Sequence, residues 1–97
     1  MTPEGKVKAE IKKALKARGA YQFWPVQRGF GAATVDCLAC DAGRFIAIEV
    51  KREDGGVLTG RQKATLHEVA LAGGIAVVAR SWEEVLHAID NHGHGRV

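Results

Sequence analysis

Asp36, Glu49 and Lys51 are the residues of this chain best equipped for chemistry. Val35-Asp36 is followed, after twelve intervening residues, by Glu49-Val50-Lys51. The stretch Arg44-Phe-Ile-Ala-Ile-Glu-Val-Lys51 alternates in the manner of a half-buried strand. Successive side chains of a strand point to opposite faces, so Ile46, Ile48 and Val50 share one face and Ala47, Glu49 and Lys51 the other. With Asp36 on the neighbouring strand of a hairpin, its carboxylate and that of Glu49 converge. Two carboxylates, a main-chain carbonyl and water form a hard donor set that suits Mg²⁺ or Mn²⁺. The carbonyl of Val50 is placed to complete the set. Lys51 beside them can orient or deprotonate an attacking water, or neutralise charge developing on a phosphate. A surface ion pair between Glu49 and Lys51 fits the same spacing.

The elements that must position these groups are legible from caps, breakers and periodicity. Thr2-Pro3 starts a helix, with proline at its first position, and Gly19 ends it. Val7, Ile11, Ala14 and Leu15 recur at helical spacing. Glu10 lies three residues after Val7 and four before Ala14, on the rim of that apolar face, where it can look into the domain. It is the single acid among Lys6, Lys8, Lys12 and Lys13, and pairing with Lys6 or Lys13 is its plainer use. Residues 21–26 are apolar and aromatic enough for a strand whose end Pro25 bends. Gln27-Arg28-Gly29-Phe30-Gly31 is a glycine-punctuated loop. Residues 33–40 form a second strand carrying Asp36, Asp41-Ala42-Gly43 a hairpin turn, and residues 44–52 a third strand antiparallel to the second. Thr59-Gly-Arg-Gln62 fits a capping box opening a helix with Leu66, Val69 and Ala70 as its apolar stripe and Gly73-Gly74 as its end. Ile75 to Ala79 is a continuous apolar run, as in a strand buried on both faces. Ser81-Trp-Glu-Glu84 is a second capping box, opening a short helix with Val85, Leu86 and Ile89. The crossover from residues 44–52 through the middle helix to residues 75–79 should be parallel and right-handed. The expected architecture is α/β, a mixed sheet with flanking helices in the order α-β-β-β-α-β-α. Residues 1–90 form the domain, and 91–97 a frayed polar tail.

The chain has 97 residues, 46% hydrophobic and 26% charged, the size and make-up of one small soluble domain. So short a chain buries only about two-thirds of its unfolded surface, which favours self-association. No apolar run approaches the roughly 18 residues of a membrane span. Nor does the N-terminus read as a signal peptide, so the expectation is a cytoplasmic protein with reduced cysteines. The net charge is +3, concentrated in Lys6, Lys8, Lys12, Lys13, Lys16 and Arg18 of the first helix and in Arg52, Arg61 and Lys63 around the acid–lysine set. Such clustering suits a polyanion such as nucleic acid. A solvated helix face is the bland account of the lysines.

With these residues in place, the chain resembles a known family. Asp-x(12)-Glu-x-Lys across a hairpin is the pattern of the PD-(D/E)XK nucleases, whose core is restriction-endonuclease-like. Gly43-Arg-Phe-Ile-Ala-Ile-Glu-Val-Lys-Arg52, Leu58-Thr-Gly-Arg-Gln62 and Ala72-Gly-Gly-Ile-Ala-Val-Val-Ala-Arg-Ser81 look like the VRR-NUC branch. That branch includes stand-alone phage and bacterial nucleases and a domain of eukaryotic repair nucleases. The resemblance runs from the first helix to Ile89 and is most specific from Glu49 to Gln62. It implies Mg²⁺-dependent phosphodiester hydrolysis, with Asp36 and Glu49 as metal ligands and Lys51 as the catalytic lysine. It further implies Glu10 as the acid of the first helix, reaching the metal directly or through water, and Gln62 as a contact to the attacking water or the scissile phosphate. Val35 stands where the family usually has proline, a backbone-shaping position and not a ligand. Small stand-alone members resemble homodimeric resolvases of four-way DNA junctions. A homodimer acting on branched DNA is therefore the expectation, with residues 21–26 part of its interface and Arg28, Arg52, Arg61 and Lys63 as phosphate contacts.

Two other readings compete. One is a nicking or restriction-type nuclease with a different DNA target. The other is a nucleic-acid-binding module that does not cleave, and clustered acids near phosphates speak against it. Cys37-Leu-Ala-Cys40 supplies one cysteine pair where a zinc site needs four ligands, so small buried hydrophobes are the better reading. His92 and His94 lie in the polar tail. Trp24 and Trp82 read as core or interface, with Trp24 close enough to the Gln27–Gly31 loop to meet DNA.

Overall fold

A computed structural model describes residues 1–26 and 34–92. Its elements run α1 (Pro3–Ala17), β1 (Tyr21–Phe23), β2 (Cys37–Asp41), β3 (Arg44–Val50), α2 (Gly60–Leu71), β4 (Ile75–Ala79) and α3 (Trp82–Asn91), the order expected. The Thr2 hydroxyl accepts the Gly5 N–H, and Pro3 occupies the first helical turn of α1. Gly19, at φ 74°, takes the left-handed conformation that follows a helix end. Val7, Ile11 and Leu15 are the buried stripe of α1.

The sheet order is β1-β2-β3-β4. β1 and β2 pair antiparallel, as do β2 and β3, whereas β3 and β4 are parallel across the α2 crossover. The β2–β3 hairpin closes at Asp41↔Arg44 through Ala42 (φ 51°) and Gly43 (φ 80°). Two successive positive φ values are those of the tight turn whose twist matches a hairpin.

Alternation divides β3 as expected. Ile46, Ile48 and Val50 enter a core with α1 and α3, joined by Cys37, Ala39, Ile75 and Ala79. Ala47 faces the other way, into a smaller core with Val35 and Leu66 under α2. The sheet is thus a middle layer with α1 and α3 on one face and α2 on the other.

Several boundaries differ from expectation. β2 begins at Cys37, so Asp36 occupies a bend just ahead of the strand. β1 stops at Phe23, two residues short of Pro25. β3 stops at Val50, although the Lys51 N–H still donates to the Ala79 carbonyl at 3.0 Å. Ala70 is exposed, and α2 is held chiefly by Leu66, with Val69 and Leu58 packed against its core. α3 continues through Asn91, whose amide donates to the His87 carbonyl at 2.7 Å. The Ser81 box is half formed: Ser81 accepts the Glu84 N–H, but the Glu84 carboxylate turns back to the Arg80 N–H at 2.6 Å. Cys37 is buried while Cys40, on the opposite strand face, is exposed. Burial pushes the Cys37 thiol up to about 11, so it is protonated and inert at neutral pH. The Gln27–Gly31 loop, Arg28 included, and His94 lie outside the described residues.

Asp41, read from the sequence as a turn residue, is a buried hub. It takes Arg18 bidentately, with Nε at 3.3 Å and Nη2 at 2.9 Å, and Arg44 Nη2 at 3.0 Å. Arg44 also donates to the Ile89 carbonyl at 3.3 Å. The hub ties the end of α1, the hairpin turn and α3 together.

Candidate active site

β3 and the bend before β2 bring Asp36 and Glu49 together. The last β2–β3 backbone pair is Cys37↔Ile48. Beyond it, side chains take over the ladder. The Asp36 N–H donates to Glu49 Oε1 at 3.2 Å, and the Val50 N–H donates to Asp36 Oδ2 at 2.8 Å. Each carboxylate is thereby fixed by the backbone of the other's neighbourhood. Displacement of Asp36 from the strand is what frees it to make this exchange.

Lys51 and Gln62 complete the cluster. Lys51 Nζ lies 3.4 Å from Glu49 Oε2 and donates to Gln62 Oε1 at 3.4 Å. Gln62 Nε2 donates to Glu49 Oε2 at 2.6 Å. The Gln62 oxygen also accepts the Thr59 N–H at 3.0 Å, and Thr59 Oγ1 accepts the Gln62 N–H at 3.2 Å, a complete capping box. One glutamine therefore caps α2 and holds two residues of the cluster at once. Gly56, at φ 97°, backs the lysine: a Cβ there would meet Lys51 Cδ at 3.1 Å. A side chain at Gly56 would be strained and would press on the lysine stem.

The electrostatics follow from burial. The side chains of Glu49 and Lys51 are 2% and 12% exposed. Burial first, and the nearby Asp36 charge second, push the Glu49 carboxyl up to about 7, with Lys51 opposing. A buried carboxylate beside a half-buried one favours a cation between them.

The donor set fits a hard divalent ion. Asp36 and Glu49 each offer carboxylate oxygens. In a trans peptide the C=O and N–H point opposite ways. The Lys51 N–H points to β4, so the Val50 carbonyl points away from β4, toward the side from which Asp36 approaches. Among the described residues no group of three or more His, Cys, Asp or Glu side chains is placed to hold a metal ion. The fit therefore rests on two carboxylates plus a main-chain oxygen, completed by water.

Glu10 does not join this cluster. It is exposed, and its Oε1 accepts the Trp82 N–H at 3.3 Å at the start of α3. The flank of α1 that meets Asp36 is marked by Lys8, whose Nζ lies 3.5 Å from Asp36 Oδ1 and 3.3 Å from Glu4 Oε2. Two residues on from Lys8, Glu10 is rotated by about 200° round the helix. Glu4, not Glu10, is the acid of α1 linked to Asp36. The i,i+4 spacing of Glu4 and Lys8 was the available signal. Arg61 and Lys63 are exposed on either side of Gln62. Arg52, also exposed, pairs with Asp54 at 3.3 Å.

No family model matches the sequence, and no curated protein matches it. A solved structure described as a VRR_NUC domain superposes with a TM-score of 0.76, over 95% of this chain and 99% of that one, at 20% identity. With its four-stranded mixed sheet and its order of helices and strands, the chain has the VRR-NUC domain fold.

Proposed function

We propose that this protein is a divalent-metal-dependent endonuclease that hydrolyses phosphodiester bonds of branched DNA, four-way junctions above all. One observation carries the reading: Asp36 and Glu49 are locked together, with a 12%-exposed lysine and a glutamine hydrogen-bonded to the same cluster, on this fold. Asp36, Glu49 and the Val50 carbonyl would hold Mg²⁺, with Mn²⁺ as a substitute. When bound, such an ion would supply Lewis acidity and make water nucleophilic near neutral pH. Lys51 is held on one side by Glu49 and by Gln62, which leaves it donors for a phosphate oxygen. It stabilises charge building on the scissile phosphate or takes part in proton transfer. Gln62 orients Lys51 and Glu49 relative to each other. Arg28, Arg52, Arg61 and Lys63 serve as contacts to the DNA backbone.

Symmetric resolution of a four-way junction needs two cuts, which a twofold dimer supplies. Exposed Tyr21 (68%), Phe23 (51%) and Val26 (75%), on and just after the edge strand β1, support a dimer contact there. The test is a panel of flaps, forks, four-way junctions and linear duplexes, each with Mg²⁺ and with EDTA, run beside light scattering. Paired nicks on the junction by a dimer, only with metal, are expected. Absence of cleavage on every substrate would overturn the nuclease reading. A monomer cutting one strand of a flap would overturn the junction form alone.

A further inference from the structure

Away from the acid cluster, α1 and β1 enclose a groove of about 510 Å³ lined by Ala9, Lys12, Lys13, Lys16, Gln22 and Trp24. No acid neutralises its cations: among the described residues, none of Lys12, Lys13 and Lys16 forms an ion pair, whereas Lys8 is held by Glu4 and Asp36. Its aromatic wall is held in place. Trp24 Nε1 donates to Gln22 Oε1 at 2.8 Å, and Gln22 Nε2 donates to the Lys12 carbonyl at 3.1 Å. Lys12 Nζ lies 4.8 Å from the centre of the indole ring. Trp24 packs against the rim of the α1–α3 core and stays partly exposed to the groove.

We propose that this groove binds an unpaired stretch of nucleic-acid strand. Lysines along one wall match a phosphate backbone, and a fixed indole offers a surface on which a base can stack. Only an unstacked base can use such a platform, which selects single strand over duplex. Lys8, Lys12 and Lys16 recur every four residues, about 6 Å apart along α1. Since Lys8 touches Asp36, a strand lying on this track leads to the acid cluster. In that respect the inference extends the nuclease reading by naming the DNA feature, an unpaired strand, that the enzyme would hold beside its site.

The test is fluorescence anisotropy with labelled oligothymidylate of about 12 nucleotides, within the usual footprint of such grooves. Duplex of equal length and polyglutamate serve as comparisons, all in EDTA so that no cleavage is read. The K12A/K13A/K16A variant changes exposed positions only, and thermal melts confirm its fold. It should bind oligothymidylate at least tenfold more weakly at about 50 mM salt, and its salt slope should flatten by about 2. Trp24→Leu, which keeps apolar bulk, should weaken binding at least fivefold. Binding by the triple variant within twofold of the parent would overturn the proposal. So would an equal loss for duplex and single strand, or displacement of the oligonucleotide by polyglutamate. Because binding is read without turnover, failure of the nuclease reading leaves this test intact, and the reverse also holds.

Discussion

The buried Glu49 makes the metal-free protein less stable as pH rises, and Glu49→Gln should remove that dependence. Its carboxyl titrates near 7 in the fold, against an ordinary 4.5, because burial and the Asp36 charge outweigh the help of Lys51. Between those two values the folded state binds more protons than the unfolded one, so stability falls as pH rises. The contribution is fully present below about 4.5 and is lost as pH passes through about 7. A rise of that size corresponds to about 3 kcal/mol. The assay is urea denaturation in EDTA, from about pH 4.5 to pH 8. Parent protein should lose about 3 kcal/mol more than the Glu49→Gln variant over that range. Added Mg²⁺ at about pH 8 should return about 2.7 kcal/mol at a hundredfold excess over its Kd, and only in the parent. Equal pH slopes for parent and variant would refute the reasoning, because the two proteins differ at this carboxyl alone.

Three further outcomes follow. Lys51→Ala should lower the cleavage rate by about a hundredfold or more while DNA binding weakens little, read by single-turnover kinetics beside a binding titration; near-normal rates with lower stability would make Lys51 a structural partner of Glu49. Gln62→Ala should cost about 1 kcal/mol in a thermal melt and also reduce the cleavage rate, since its oxygen caps α2 and its amide holds Glu49. Asp41→Asn should cost about 2 kcal/mol by denaturation; the Arg18 hydrogen bonds, with Arg44 second, hold the Asp41 carboxyl below the usual 3.8 against burial, so its contribution is present above that value and fades as pH falls below it.

Much of this architecture is written locally. Caps, breakers and the period-two alternation of residues 44–50 locate the elements, and the crossover rule then sets β3 and β4 parallel. Exchanges between distant residues are less legible. Asp36 has a strand-like neighbourhood, yet it leaves the ladder because its side chain satisfies the Val50 N–H. Glu10 and Glu4 both sit near the apolar stripe of α1, and only the packing of α1 on the sheet decides which flank faces Asp36. Asp41 lies 23 residues from Arg18, a separation at which no local pattern reports an ion pair. The cap formed by Gln62 is legible from the Thr59-Gly-Arg-Gln62 spacing, whereas its hydrogen bonds to Lys51 and Glu49 join residues too far apart in sequence for a local pattern to report. Helical spacing places Ala70 in the stripe of α2, but that helix is narrow in its contact and leaves Ala70 exposed and Leu71 74% exposed.

The central claim is that Asp36 and Glu49 hold the metal on which DNA cleavage depends, and Asp36→Asn tests it most directly. The substitution removes an anionic ligand from a hard-cation site while keeping an oxygen that can accept the Val50 N–H. Single-turnover cleavage of a four-way junction, with Mg²⁺ and with EDTA, should show a metal-dependent cut by the parent and none by the variant. The variant should still bind the junction, as tightly or more so, because a negative charge near phosphate has gone. Undiminished cleavage by pure Asp36→Asn protein, or equal cleavage by the parent in EDTA, would contradict the account.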